Sequence, residues 1–207
     1  MVDVATDTRL RIIEAARTRL LADGYAGLST RKVAEEAGVP LSQLHYHFGS
    51  KGGLITALFA EENNRLLERQ TEMYAQDKPL WQRYEQACDF LEDDLESGYV
   101  RVLQEMLAAG WSNPEIGDVV RDLLARWFVL LAEVAREAER RFGALGPFTP
   151  EEIATLVANA FIGSEALLLL GFERPVMPIR SALRRIGVII REREEAAGAV
   201  GAPIVAG

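Results

Sequence analysis

Residues 29–51 read STRKVAEEAGVPLSQLHYHFGSK, and this stretch decides the fold of the N-terminal part of the chain. Ser29 or Thr30 can cap a short helix, because hydroxyl oxygens accept backbone N–H bonds at helix starts. Gly38 can close that helix, since glycine adopts the left-handed turn at helix ends without strain. Pro40 then suits the start of a second helix. The stretch predicts two short helices joined by a tight turn.

Each of the two predicted helices has one apolar face. Small alanines on the first helix let a neighbouring helix cross closely, and Leu44 anchors the second. Ser42, Gln43 and Tyr46 fall together on the opposite side of the second helix. That side is short, polar and aromatic, which suits the major groove of DNA. The inward-facing residues predicted by helical spacing are Val33, Ala34, Ala37, Leu44, His47 and Phe48.

This stretch resembles the DNA-binding domain of the TetR family of transcriptional regulators. The resemblance covers about a quarter of the chain, with a hydroxyl-rich start, an Ala-Gly-Val turn and an aromatic-x-Ser-Lys end. It implies an all-α fold of about nine helices, with an N-terminal three-helix helix-turn-helix domain and a C-terminal helical ligand-binding and dimerisation domain. The matching positions are Ser29, Thr30, Arg31, Val33, Ala34, Ala37, Gly38, Val39, Leu44, His47, Phe48, Ser50, Lys51 and Leu54.

The resemblance also implies which side chains contact DNA. Thr30, at the start of the second helix of the domain, would contact the DNA backbone, and Arg31 the backbone or a base edge. Lys51, at the start of the fourth helix, would hold a phosphate. The residues that would face the bases are Ser42, Gln43 and Tyr46.

Two positions depart from the family pattern. Pro40 replaces the usual Ser or Thr after Ala-Gly-Val, so a hydroxyl cap is lost. His45 replaces a tyrosine whose hydroxyl usually bonds a phosphate, and we count it as DNA-binding because its ring N–H can donate instead. Whether His45 does the work of that tyrosine stays open. His45 and His47 lie two residues apart and point to different helix faces, so we expect no metal site and no cofactor.

Helical spacing continues through the rest of the chain, and no segment shows the period-two alternation of a strand. A long fourth helix joins the two parts of the chain. We predict a helix-turn-helix DNA-binding domain in residues 1–51, a helical effector-binding and dimerisation domain in residues 52–195, and a flexible tail in residues 196–207.

The charge is divided unevenly along the chain. Residues 1–51 carry seven Lys or Arg against six Asp or Glu, so their net charge is +1. Because the whole chain has a net charge of −8, the remainder carries −9. DNA contact is therefore expected in the N-terminal segment. Cys88 is the single cysteine, which excludes an internal disulfide and fits the cytoplasm. We identify no targeting segment and expect no membrane span.

Aromatic and embedded polar residues of the C-terminal part are candidates for an effector pocket, although ordinary core packing explains any one of them equally well. Glu165 has three open interpretations: a ligand contact, a partner for an arginine, or part of an interface. The candidate pocket residues are Trp81, Tyr84, Cys88, Gln104, Trp111, Trp127, Asn159 and Glu165.

The segment 150–170 is apolar nearly all round, so one face of a monomer core does not satisfy it. We expect a homodimer through helices at about 150–170 and 178–193, with burial in a single core as the alternative. Such a dimer would present two recognition helices about one turn of DNA apart. The predicted function is a ligand-responsive regulator, most simply a repressor of a palindromic double-stranded DNA operator that a small-molecule effector releases.

Three other functions stay open at this point. An activator of the same family fits the same residues. A protein-binding module without DNA binding is compatible with Pro40 and His45. We do not expect an enzyme, because the sequence has no Gly-rich phosphate loop, no nucleophile elbow and no histidine outside the motif, which leaves Glu165 or Cys88 to carry any chemistry.

Overall fold

The structure is a computed structural model that describes residues 4–200, and the described part is all-α, as predicted. Its nine helices are α1 (Val4–Gly27), α2 (Thr30–Ala37), α3 (Leu41–Phe48), α4 (Lys51–Tyr74), α5 (Leu80–Ser97), α6 (Tyr99–Ser112), α7 (Pro114–Phe142), α8 (Pro150–Leu169) and α9 (Ile179–Val200). Helix α9 extends five residues into the predicted tail 196–207. The rest of that tail, 201–207, lies outside the described residues.

The chain divides into two compact units, which differ from the predicted domains. The first unit comprises Met1–Leu66 and Gly98–Leu124, and the second comprises Leu67–Ser97 and Ala125–Gly207. The unit that contains the helix-turn-helix is therefore larger than residues 1–51. Helices α1, α2 and α3 bury too little apolar surface between them to be stable alone, and residues of α6 and of the starts of α4 and α7 complete their core.

The core of the first unit is built from the helix faces that the spacing predicts. Val33 and Ala34 of α2 and Leu44 of α3 are buried against α1, and Leu58 and Phe59 of α4 are fully buried in the same cluster. Helix α6 closes the cluster from another side with residues such as Val102 and Met106. Sharing one core with α4 and α6 fixes the position of α3.

The second unit is organised around contacts of α9 with α5 and α8. A buried ion pair joins α5 to α7: Arg83 donates from Nη2 to Glu137 Oε1 at 2.6 Å and from Nη1 to the Tyr74 carbonyl at 2.5 Å. Helix α8 starts with the capping box that the sequence contains, in which Thr149 accepts the Glu152 N–H and Glu152 accepts the Thr149 N–H.

Among the described helices, α8 is the one whose length and composition would allow it to cross a bilayer. Core and interface helices pass the same test, and α8 packs against α5 and α9 along one side. Little of α8 is buried, and its other side exposes apolar residues such as Leu156 and Leu167. That exposed side bears on how the protein assembles.

Two neighbouring glycines at the start of α4 give a matched test of the packing. A Cβ at Gly53 would lie 2.2 Å from the Phe48 carbonyl oxygen, a backbone atom, whereas a Cβ at Gly52 would meet nothing closer than 3.6 Å. We expect Gly53→Ala to lower the free energy of unfolding by about 1–3 kcal/mol, because the α3–α4 corner must shift. Gly52→Ala should raise it by about 0.5–1 kcal/mol through helix propensity. Urea unfolding of both variants checks this, and equal effects of the two would contradict the packing described.

The Arg83–Glu137 pair predicts a pH-dependent contribution to stability. The hydrogen bonds from Arg83 hold the pKa of Glu137 below its ordinary value of 4.5. A carboxyl whose pKa is lowered in the folded state stabilises the fold fully at pH values above its ordinary pKa. This stabilisation disappears as the pH falls through the pKa of the folded state. We expect Glu137→Gln to lower Tm at pH 7 and this difference from wild type to shrink below pH 4.5. Thermal melts from pH 3 to 7 measure it, with exposed Glu139→Gln as the control, and a pH-independent difference would contradict it.

Candidate nucleic-acid interface

A tight turn at Gly38 connects α2 to α3. Gly38 has φ +64°, its N–H bonds the Glu35 carbonyl at 3.1 Å, and the Val39 N–H bonds the Ala34 carbonyl at 3.0 Å. This pair of bonds is a Schellman motif, which satisfies the last carbonyls of α2. Pro40, predicted as the first helical residue of α3, occupies the N-cap position instead, because α3 begins at Leu41, and its carbonyl accepts the Gln43 N–H at 2.9 Å.

Helix α3 has one anchored face and one exposed face. Leu44 is fully buried, whereas Ser42, Gln43 and Tyr46 are exposed, and 82% of Tyr46 is accessible to solvent. The structure therefore brings the three predicted base-facing residues together on one surface. Exposed amide, hydroxyl and phenol groups are suited to hydrogen bonds with base edges.

The start of α2 lies on the same motif. Thr30 is half-buried at its first turn, and Arg31 is exposed with an ion pair to Glu35 at 3.4 Å. Exposed pairs of this kind contribute little to stability, so the Arg31 guanidinium can exchange Glu35 for a phosphate. Ser29 occupies the cap position of α2 but makes no side-chain capping bond, which differs from the predicted hydroxyl cap.

Lys51 has a structural role besides the predicted phosphate contact. Its Nζ donates to the Tyr25 carbonyl at 2.6 Å and lies 4.4 Å from the centre of the Tyr25 ring. Partial burial lowers the pKa of Lys51. The Tyr25 N–H is bonded to Glu105 Oε2 at 3.0 Å, so α4 and α6 hold this residue from both sides. The ammonium of Lys51 retains donors for a phosphate beyond the one that Tyr25 accepts.

The ring of His45 is already engaged on one side. Its Nδ1 lies 2.9 Å from the Gly49 carbonyl oxygen, which can only accept, so Nδ1 carries the proton. In the neutral ring, Nε2 is then an acceptor, and a phosphate oxygen offers it no hydrogen. A phosphate bond from His45 therefore requires the doubly protonated ring, a requirement that a tyrosine hydroxyl would not have.

Arg11 was not identified as a functional residue from the sequence. Its Nη2 donates to the Ala37 carbonyl at 2.6 Å, so α1 holds the C-terminal end of α2 at the turn. An arginine close to the last carbonyls of a helix also stabilises the negative end of the helix dipole. Sequence patterns do not reveal this contact, because the two residues are 26 positions apart. The sequence shows only a basic residue on the polar side of α1.

The second unit contains a cavity of about 280 Å³ between α5, α7, α8 and α9. Of the eight predicted pocket residues, Tyr84 alone lines it. Trp111 is 86% exposed, and Asn159 is exposed on α8. Trp127 is buried and donates to Gln70 at 2.7 Å. The others that do not line this cavity are Trp81, Cys88, Gln104 and Glu165, of which Cys88 and Glu165 are buried and Gln104 lies in the first unit.

Most of the remaining lining residues are ordinary aliphatic positions, which sequence patterns do not distinguish from core residues. Besides Tyr84, the cavity is lined by Tyr74, Leu80, Leu131, Val134, Ala135, Ala138, Phe142, Ala144, Leu145, Ile153, Ala154, Val157, Ile186, Ile189, Ile190 and Arg193.

Known proteins resemble this chain in the same regions. The model of bacterial regulatory proteins of the tetR family matches residues 12–58. The HTH-type transcriptional regulator UidR of Escherichia coli is 24% identical over 152 residues, which cover 69% of this chain and 71% of UidR. The HTH-type transcriptional repressor AcnR of Corynebacterium glutamicum is 35% identical over 66 residues, which cover 32% of this chain and 35% of AcnR.

Solved structures share the fold. The crystal structure of a TetR-family transcriptional regulator from Rhodococcus has a TM-score of 0.74 at 22% identity, and the match covers 89% of this chain and 98% of that one. At this sequence identity the structural similarity shows the fold alone. The evidence for the family comes from the matched helix-turn-helix and from the regulators that are similar in sequence. Residues 12–58 match the DNA-binding domain of the TetR family, and the chain as a whole is similar to transcriptional regulators of that family.

Proposed function

We propose that the protein is a homodimeric repressor that binds a palindromic operator in the cytoplasm and releases it when a small molecule occupies the second unit. The observation that carries the proposal is the exposed face of α3, where Ser42, Gln43 and Tyr46 lie together above the buried Leu44. Two such faces related by a dimer axis would read the two halves of a palindrome.

An exposed stripe on α8 supports the dimer. Residues Leu156, Asn159, Gly163 and Leu167 follow helical spacing and are all exposed, and a Cβ at Gly163 would meet no atom within 4 Å. Helix α9 packs beside α8 and also exposes an apolar side chain, Ile189, which is 59% exposed and borders the cavity. An apolar stripe with a glycine at its centre lets a second copy's helix approach closely.

Helix α4 supports coupling between ligand and DNA. It starts at Lys51, a predicted phosphate contact, and ends at Tyr74, whose side chain lines the cavity. A ligand that favours one position of the Tyr74 end would also favour one position of the Lys51 end. It would shift DNA affinity by the difference in its affinity for the two states.

The test of the proposal is binding of the purified protein to the promoter region next to its own gene, measured by fluorescence anisotropy against a scrambled duplex. We expect salt-sensitive binding that prefers the promoter. Gln43→Ala and Tyr46→Ala should each reduce that preference by about 5–150-fold, since one base contact is worth about 1–3 kcal/mol.

Exposed Gln82→Ala on α5 is the control with the same chemical change, and it should leave the preference unchanged. Unchanged thermal melts would show that the exposed α3 variants still fold. The absence of any preference for the promoter over the scrambled duplex in the wild type would overturn the proposal.

The dimer surface has its own test. Leu156→Glu places a charge in the exposed stripe, where burial against a second copy would desolvate it. We expect light scattering to show twice the 22.9 kDa chain mass for wild type and the single mass for the variant. Val129→Glu on α7, where 62% of the valine is exposed, should stay dimeric. A wild-type monomer, or a dimer that both variants leave intact, would refute this surface.

A further inference from the structure

We infer that the cavity of the second unit binds a hydrophobic carboxylate, with its apolar body between α5, α7, α8 and α9 and its carboxylate on Arg193. The inference names a chemical class for the effector and rests on the proposed function only for the release of DNA. Binding itself is a separate property of the cavity.

The size and lining of the cavity define the apolar body of the ligand. Its lining consists of aliphatic and aromatic residues, among them Tyr74 and Tyr84, together with Arg193. A volume of about 280 Å³ is roughly twice that of an engineered core cavity that binds benzene, so it fits about 12 non-hydrogen atoms. Few polar groups in a mostly apolar pocket orient a ligand rather than solvate it.

Arg193 supplies the one charge in the lining. Within the part of the chain that the structure describes, its guanidinium has no ion pair or hydrogen bond, and it is exposed. Two other arginines of α9 are engaged: Arg180 pairs with Glu92 at 2.7 Å and Arg184 with Asp89 at 2.7 Å. An arginine whose stem lines the cavity while its head reaches solvent can receive a carboxylate through two parallel N–H bonds.

Two carboxylates, one on α7 and one on α9, are held by groups other than Arg193. Glu137 binds Arg83 and Arg141, at 2.6 and 2.7 Å. Glu194, the next residue on α9, accepts the Leu80 N–H at 3.3 Å and pairs with Arg141 at 3.5 Å. Among the lining residues the one charge is therefore positive, which favours an anion over a cation.

Tyr74 and Tyr84 are the two lining residues that carry hydroxyl groups. Burial raises the pKa of both Tyr74 and Tyr84, so both hydroxyls stay neutral donors. Tyr84 donates to the Leu183 carbonyl at 3.0 Å and is thereby engaged. Neither hydroxyl introduces a negative charge that would repel a carboxylate.

The experiment compares three ligands with the same ten-carbon chain: decanoate, decan-1-ol and decylamine, each titrated calorimetrically below its micelle-forming concentration. We expect decanoate to bind once per chain and at least tenfold more tightly than decylamine, with decan-1-ol between them. Arg193→Met should weaken decanoate about 3–10-fold and leave decan-1-ol unchanged. The matched control Arg185→Met, on an exposed position of the same helix away from the lining, should change neither.

Filling the cavity tests the position of the apolar chain. Val157→Phe should abolish binding of both decanoate and decan-1-ol, and Ala138→Leu serves the same purpose if the first variant melts below wild type. The inference would be overturned if decanoate did not bind, or if decanoate and decan-1-ol bound with equal affinity. It would also be overturned if Arg193→Met left the affinity for decanoate unchanged, or if decanoate still bound to both cavity-filling variants. Decanoate that binds as expected but leaves operator affinity unchanged would refute the proposed release and leave the carboxylate site standing.

Discussion

The burial of Leu44 is the contact on which the DNA-facing surface depends. Helix α3 has eight residues, too few to be stable in water on its own. Leu44 fixes α3 to a core that α1, α2, α4 and α6 share, and that attachment leaves Ser42, Gln43 and Tyr46 exposed in a defined orientation. A change that loosens this core would make the orientation of the exposed residues less defined before it unfolds the chain. The orientation of three surface residues thus depends on one buried leucine.

Local sequence patterns predicted much of this surface. The spacing of Val33, Ala34, Ala37 and Leu44 places them inward, and they are buried. Gly38 adopts the left-handed conformation that a tight turn requires. The long-range ties were not predictable, because Arg11 to Ala37 and Lys51 to Tyr25 each join residues 26 positions apart. No periodicity within a helix encodes such a contact, and the same reason explains why the first unit extends beyond residue 51.

The predicted pocket residues and the lining of the cavity differ for another physical reason. Large aromatic side chains fill space, so Trp127 packs in the interior and satisfies its N–H with Gln70 instead of bordering a void. Space is left where side chains are small, and alanines such as Ala135, Ala138 and Ala154 line the cavity. A cavity is a property of how helices meet, and the sequence of each helix alone does not reveal it. The proposed role of Arg193 was not predictable for the same reason, because it depends on which carboxylates are already paired with other groups.

The helix-turn-helix carries the exposed face that suits DNA, whereas residues 52–207 have a net charge of −9. The most direct measurement of the central claim is hydroxyl-radical footprinting of the protein on its own promoter. Two α3 faces presented by a dimer predict two protected patches, centred about 10 base pairs apart on one side of the duplex. A single patch, or uniform protection at all concentrations, would contradict the account.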